Sequence, residues 1–126
     1  MNKGDKIPIE EFLYRRGFST PEKKYCNPDG SATSRVFKLR EKDEGMLSVD
    51  LKSRTTAERA ISDPGKFMLF ELKNESVEEV ALETVYDPLD DGSNNAHALI
   101  IGMQMDDDIA PGHLARNSKR VIIKSI

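Results

Sequence analysis

Residues 46–72, MLSVDLKSRTTAERAISDPGKFMLFEL, decide the fold class. In the first six, Leu47, Val49 and Leu51 alternate with Met46, Ser48 and Asp50, the period-two pattern of a strand buried on one face. Thr55–Ser62 predicts a short helix: Ala57, Ala60 and Ile61 share one side, and Ser53 or Thr55 can accept amide hydrogen bonds at its start. Asp63-Pro64-Gly65 stops that helix. Lys66–Leu72 then carries the densest apolar run, Phe67-Met68-Leu69-Phe70, which suits an interior strand buried on both faces.

Upstream, Glu11–Arg16 alternates as a strand that Gly17 is expected to end, and residues 19–33, rich in Pro, Gly and small polar side chains, read as a long loop. Ser34–Arg40 reads as a further strand, joined to 46–51 as a hairpin through Glu41–Gly45. Downstream, Asn74–Ala81 reads as one helical turn, with Ser76 and Glu79 at capping-box spacing. A strand at Leu82–Tyr86, a turn-rich link at Asp87–Asn95 and a strand at His97–Met103 follow. A helix over Gly112–Ser118, delayed by Pro111 and Gly112, and a short strand over Arg120–Lys124 close the chain. Short helices among strands, without regular βαβ spacing, predict a single compact α+β domain over residues 1–126. It has a mostly antiparallel sheet, two or three short helices and a flexible N-terminus at 1–8.

The bulk composition agrees with one core. The 126 residues are 37% hydrophobic and 33% charged, too apolar for wholesale disorder, and no run reaches the roughly 20 apolar residues that a bilayer span needs. The N-terminus lacks the apolar stretch of a secretory leader, and Cys26 has no second cysteine with which to pair. Both features favour a reducing cytoplasm.

The net charge of −3 conceals a segregation. Residues 1–40 carry a net +4 and residues 41–126 a net −7, with eleven carboxylates against Lys73 alone between Glu71 and Asp108. Gathered on separate faces, such blocks would steer a charged partner; dispersed, they would pair with one another. Asp87, Asp90, Asp91, Asp106, Asp107 and Asp108 are therefore the candidate partner-binding residues.

Common catalytic signatures are missing: the sequence has no Gly-rich phosphate loop, Cys-x-x-Cys pair, His-Glu-x-x-His helix or Gly-x-Ser-x-Gly elbow. The aspartate clusters lack the alternating ligand positions of an EF-hand, so no metal or other cofactor is expected. His97, at the opening of a strand, and His113, beside Pro111-Gly112, are the side chains suited to proton transfer near neutrality. Arg15 and Arg16 are candidate anion-binding residues, because a guanidinium presents a permanent planar charge to phosphate or carboxylate. As neighbours on a strand they face opposite sides, so a bulge would be needed for both to line one cleft.

The segments SRVFKLR, GMLSVDL, Tyr86-Asp87-Pro88 and HALIIG, taken in order, resemble a loose family of small bacterial proteins found in mobile-element and defence neighbourhoods. The resemblance carries no activity with it and points to Ser48 and His97 as positions to test. The first expectation is a small cytosolic domain that recognises another protein, with nucleic-acid binding and homo-oligomerisation as lesser alternatives and no membrane role. The competing expectation is a small hydrolase or transferase acting on a nucleotide or RNA phosphate. In it His97 is the acid/base, Ser48 a further catalytic candidate, and Arg15 or Arg16 the anion contact.

Overall fold

The computed structural model describes residues 1–40 and 43–123. Six strands form one antiparallel sheet: β1 (Phe12–Phe18), β2 (Met46–Leu51), β3 (Phe67–Lys73), β4 (Glu83–Tyr86), β5 (His97–Ile101) and β6 (Lys119–Val121). Their spatial order is β4-β5-β2-β1-β3-β6. Three short helices, α1 (Ala57–Ile61), α2 (Asn74–Glu78) and α3 (Ala110–Arg116), complete an α+β domain.

The main core lies on one face of the sheet. Leu13, Leu47, Val49, Leu51, Phe70 and Ile100 project there against Val77 of α2 and Ala110, Leu114 and Ala115 of α3. On the opposite face a smaller cluster packs Ala60 and Ile61 of α1 over Tyr14 and Leu69. Because β3 feeds both clusters, Met68, Leu69 and Phe70 are all buried, the two-sided burial that its unbroken apolar run predicts.

Several local expectations are corrected. Ser34–Arg40 is no strand and forms no hairpin with β2; Ser34–Phe37 is a 3-10 turn, and β2 pairs with β1 and β5 instead. Consecutive strand residues face opposite ways, whereas Val36 and Phe37 are both 0% exposed in the same core, an arrangement that the tighter turn permits. Part of the expected link, Glu41 and Lys42, lies outside the described residues.

β1 does not end at Gly17 but runs to Phe18, in register with Phe67 of β3. Gly17 serves close approach rather than termination: a Cβ there would lie 3.2 Å from the Tyr25 ring. Helix α3 starts two residues earlier than expected, since Pro111 occupies its first turn, where the missing N–H costs nothing, and Asp107 Oδ1 accepts from the amides of Ile109 and Ala110. The cap of α1 is Thr56, which accepts from Arg59 N, rather than Ser53 or Thr55. In α2 the Ser76–Glu79 capping box is not formed, because Ser76 lies inside the helix and is buried. Lys124 of the expected last strand lies outside the described residues.

Part of the N-terminal segment lies along the outer edge of β4. Lys6 bridges Val85, the amide of Ile7 donates to Thr84 O, and Ile7 is buried, so the outer edge of β4 is covered by the chain itself. Asn74, fully buried, donates to Ile7 O and Pro8 O and accepts from Thr84 Oγ1, which joins this segment, α2 and β4 in one network.

Candidate functional site

The sheet opens between β1 and β2. Their ladder contains only Leu13↔Leu51 and Tyr14↔Asp50, while β1 stays paired with β3 as far as Phe18. Beyond Tyr14 the strands diverge around a cleft of about 470 Å³, within the usual size range of small-molecule sites.

Arg15 spans the opening. Its Nε donates to Val36 O at 2.6 Å and its Nη1 to Ser48 O at 2.7 Å. Burial pushes the Arg15 guanidinium down to about 10, which leaves it charged at neutral pH. Arg16 points to the other face, where its guanidinium lies 4.8 Å from the Phe67 ring centroid. Both arginines line the cleft even though they are sequence neighbours. No bulge is required: the separation of β1 from β2 lets the cleft meet both faces of β1.

Two further arginines join them. Arg35 lies over the Tyr25 ring at 6.0 Å, and Arg40 approaches Asp43 at 3.6 Å. Four guanidinium groups thus meet two carboxylates, Asp43 and Asp50, in the lining. Asp43 is taken up by Arg40, and Asp50 accepts from Asn94 Nδ2 at 2.8 Å. The cleft consequently offers excess positive charge, with Phe18, Tyr25 and Phe67 in its wall.

His97 enters from β5, directly opposite Asp50 of β2. Its Nδ1 is 2.8 Å from Asp87 O and 3.1 Å from Asp87 Oδ2, so Asp87 holds the ring by one nitrogen and leaves Nε2 for a ligand. Ser48 lines the same cleft on the same face of β2 as Asp50. Among the described residues no hydrogen bond joins Ser48 Oγ to His97, so the two are not assembled as nucleophile and base. His113 lies elsewhere: its Nε2 is 3.0 Å from Glu79 Oε1, tying α3 to α2.

No family model, curated protein or solved structure matches the chain. The site is therefore read from its own geometry.

The acidic candidates do not form one patch. Asp87, Asp90 and Asp91 precede β5 and Asp106–Asp108 follow it, on opposite ends of a strand about 13 Å long at about 3.3 Å per residue step. Basic residues of the first forty neutralise several carboxylates of the acidic segment: Lys3 approaches Asp87 and Asp90, Lys6 approaches Glu78 and Glu83, and Lys38 approaches Asp108. Asp107 Oδ1 accepts from the amides of Ile109 and Ala110, and Asp91 accepts from Ser93 N. Among the described residues these carboxylates do not gather into a cation site, and no helix is long and apolar enough to cross a membrane.

Sequence reasoning missed Arg35 and Arg40, hidden in a segment read as a strand, and Asp43, Asp50 and Asn94. The signal available for Asp50 was its place opposite the core-facing residues of β2, beside Ser48.

Proposed function

We propose that the cleft between β1 and β2 binds the phosphate of a nucleotide and that His97 transfers a proton in phosphate-ester chemistry there. The observation that carries this reading is the convergence of Arg15, Arg16, Arg35 and Arg40 with an Asp87-held His97 in one cavity. Arg16 and Arg35, which no ion pair engages among the described residues, neutralise phosphate oxygens, and the aromatic wall offers a surface for a base. In hydrolysis, water adds to phosphorus and gives up a proton to solvent, the ester P–O bond breaks with its electron pair passing to the leaving oxygen, and protonated His97 gives its Nε2 proton to that oxygen and is reprotonated from solvent. The setting proposed is cytoplasmic, supported by the lone thiol of Cys26.

Calorimetric titration with nucleoside monophosphates and with the matching nucleosides tests the binding step. Phosphate-dependent binding that Arg16→Ala and Arg35→Ala weaken supports the reading. Equal response to nucleoside and nucleotide, or none to either, refutes it.

A second reading, recognition of a basic protein, is supported by one observation. Met105 and Ile109, 50% and 77% exposed, flank Asp106–Asp108 on the loop after β5. The mutual pairing of the charge blocks removes much of the wider argument for it.

A further inference from the structure

A second cavity, of about 410 Å³, adjoins the first. Arg54, Arg59 and the loop Gly92–Asn95 line it, and it shares two residues with the cleft, Asp50 and Asn94. Those two are bonded to each other at 2.8 Å, and Asn94 Oδ1 accepts from Ala96 N, so the partition between the cavities is a fixed hydrogen-bonded pair. Arg54 is steadied over the Tyr86 ring at 5.0 Å, and Tyr86 in turn donates to Asn95 O at 2.6 Å. Among the described residues no ion pair engages Arg16, Arg35, Arg54 or Arg59. A chain with a net charge of −3 therefore presents unneutralised guanidinium groups along two adjoining cavities.

We infer that the ligand is a single-stranded oligonucleotide, one phosphate held in the cleft and a neighbouring one held by Arg54 and Arg59 across the Asp50–Asn94 partition. This rests on the nucleotide reading of the cleft and adds chain length to it. A mononucleotide fills one cavity only, whereas a strand engages the arginines of both, with Phe18, Tyr25 and Phe67 in the wall of the first. A duplex fits less well, because its bases are paired and stacked and cannot meet the aromatic side chains in the cleft wall.

The test is fluorescence anisotropy with uridine monophosphate as competitor, the dinucleotide pUpU, single-stranded U10 and an A10·U10 duplex, on wild type and on the double variant Arg54→Ala/Arg59→Ala. The dinucleotide and U10 are expected to bind at least about tenfold more tightly than the mononucleotide at low salt. The double variant should remove that gain and leave mononucleotide affinity unchanged. If the double variant does not fold, the wild-type salt dependence decides, because one extra phosphate contact on a single strand steepens the log–log slope by about 0.7 relative to the mononucleotide. Mononucleotide binding with no gain for the longer ligands, or tightest binding of the duplex, overturns this inference and leaves the cleft reading standing. No mononucleotide binding, with or without the longer ligands, overturns the cleft reading itself.

Discussion

Arg15 Nη1 donates to the carbonyl oxygen of Ser48 at 2.7 Å, and so a side chain of β1 satisfies an acceptor that a continued β1–β2 ladder would have bound through backbone. The same guanidinium holds Val36 O of the 3-10 turn. A half-buried cation therefore bridges β2 and the 3-10 turn where the cleft forms, and its desolvation lowers its pKa.

Replacing Arg15 with Met removes both hydrogen bonds and leaves two carbonyls without their partner. A loss of about 1–3 kcal/mol in urea unfolding is expected, together with weaker nucleotide binding. Arg15→Lys should not restore stability, because a single ammonium lacks the fork that reaches two acceptors. A Met variant more stable than wild type would show that desolvating the charge outweighs its bonds.

His97→Ala is expected to lower any phosphodiester turnover by a factor of about 100 or more while the melting temperature changes little. Asp87→Asn should cost less, about tenfold, because Asp87 O still holds Nδ1. Turnover unchanged by His97→Ala, or lost only in parallel with folding, would remove His97 from the chemistry.

Asn74 makes three side-chain hydrogen bonds at zero exposure. Asn74→Ala leaves Thr84 and two carbonyls unpaired in the interior, and about 3 kcal/mol of stability should be lost. Hydrogen exchange should rise first at the amide of Ile7, which bonds to Thr84. Protection unchanged there would mean that the N-terminal segment is held by Ile7 packing alone.

Asp29 and Asp91 are held below the ordinary carboxylate pKa of 3.8, chiefly by side-chain hydrogen bonds from Ser31 and Ser93. A carboxylate depressed on folding stabilises above its unfolded pKa, and that contribution disappears as pH falls through the folded value. Urea midpoints of wild type and Asp29→Ala/Asp91→Ala should differ at pH 5, and the gap should narrow towards pH 3. A gap of equal size at both pH values would contradict the linkage.

The strands were legible wherever periodicity had a single explanation. Leu47, Val49 and Leu51 alternate into the core of β2, and Ala98 and Ile100 do the same from β5. Val36-Phe37 was not legible, because adjacent apolar residues fit either a strand or a turn that directs both inward. The candidate site was legible residue by residue: Arg15, Arg16, Ser48 and His97 were each named from sequence and all line the cleft. Their assembly was not, since it depends on β2 lying between β1 and β5, and Arg35 and Arg40 entered it only through the unforeseen 3-10 turn.

Sequence alone determined the α+β class, the apolar interior of β3 and the absence of familiar catalytic motifs, because local periodicity and spacing are properties of neighbouring residues. Tertiary structure alone decided where charge resides. It brought lysines of the first forty residues against the acidic segment and left arginines along two adjoining cavities, because strand order sets which distant side chains share a surface, and Coulombic interactions act over distance in space.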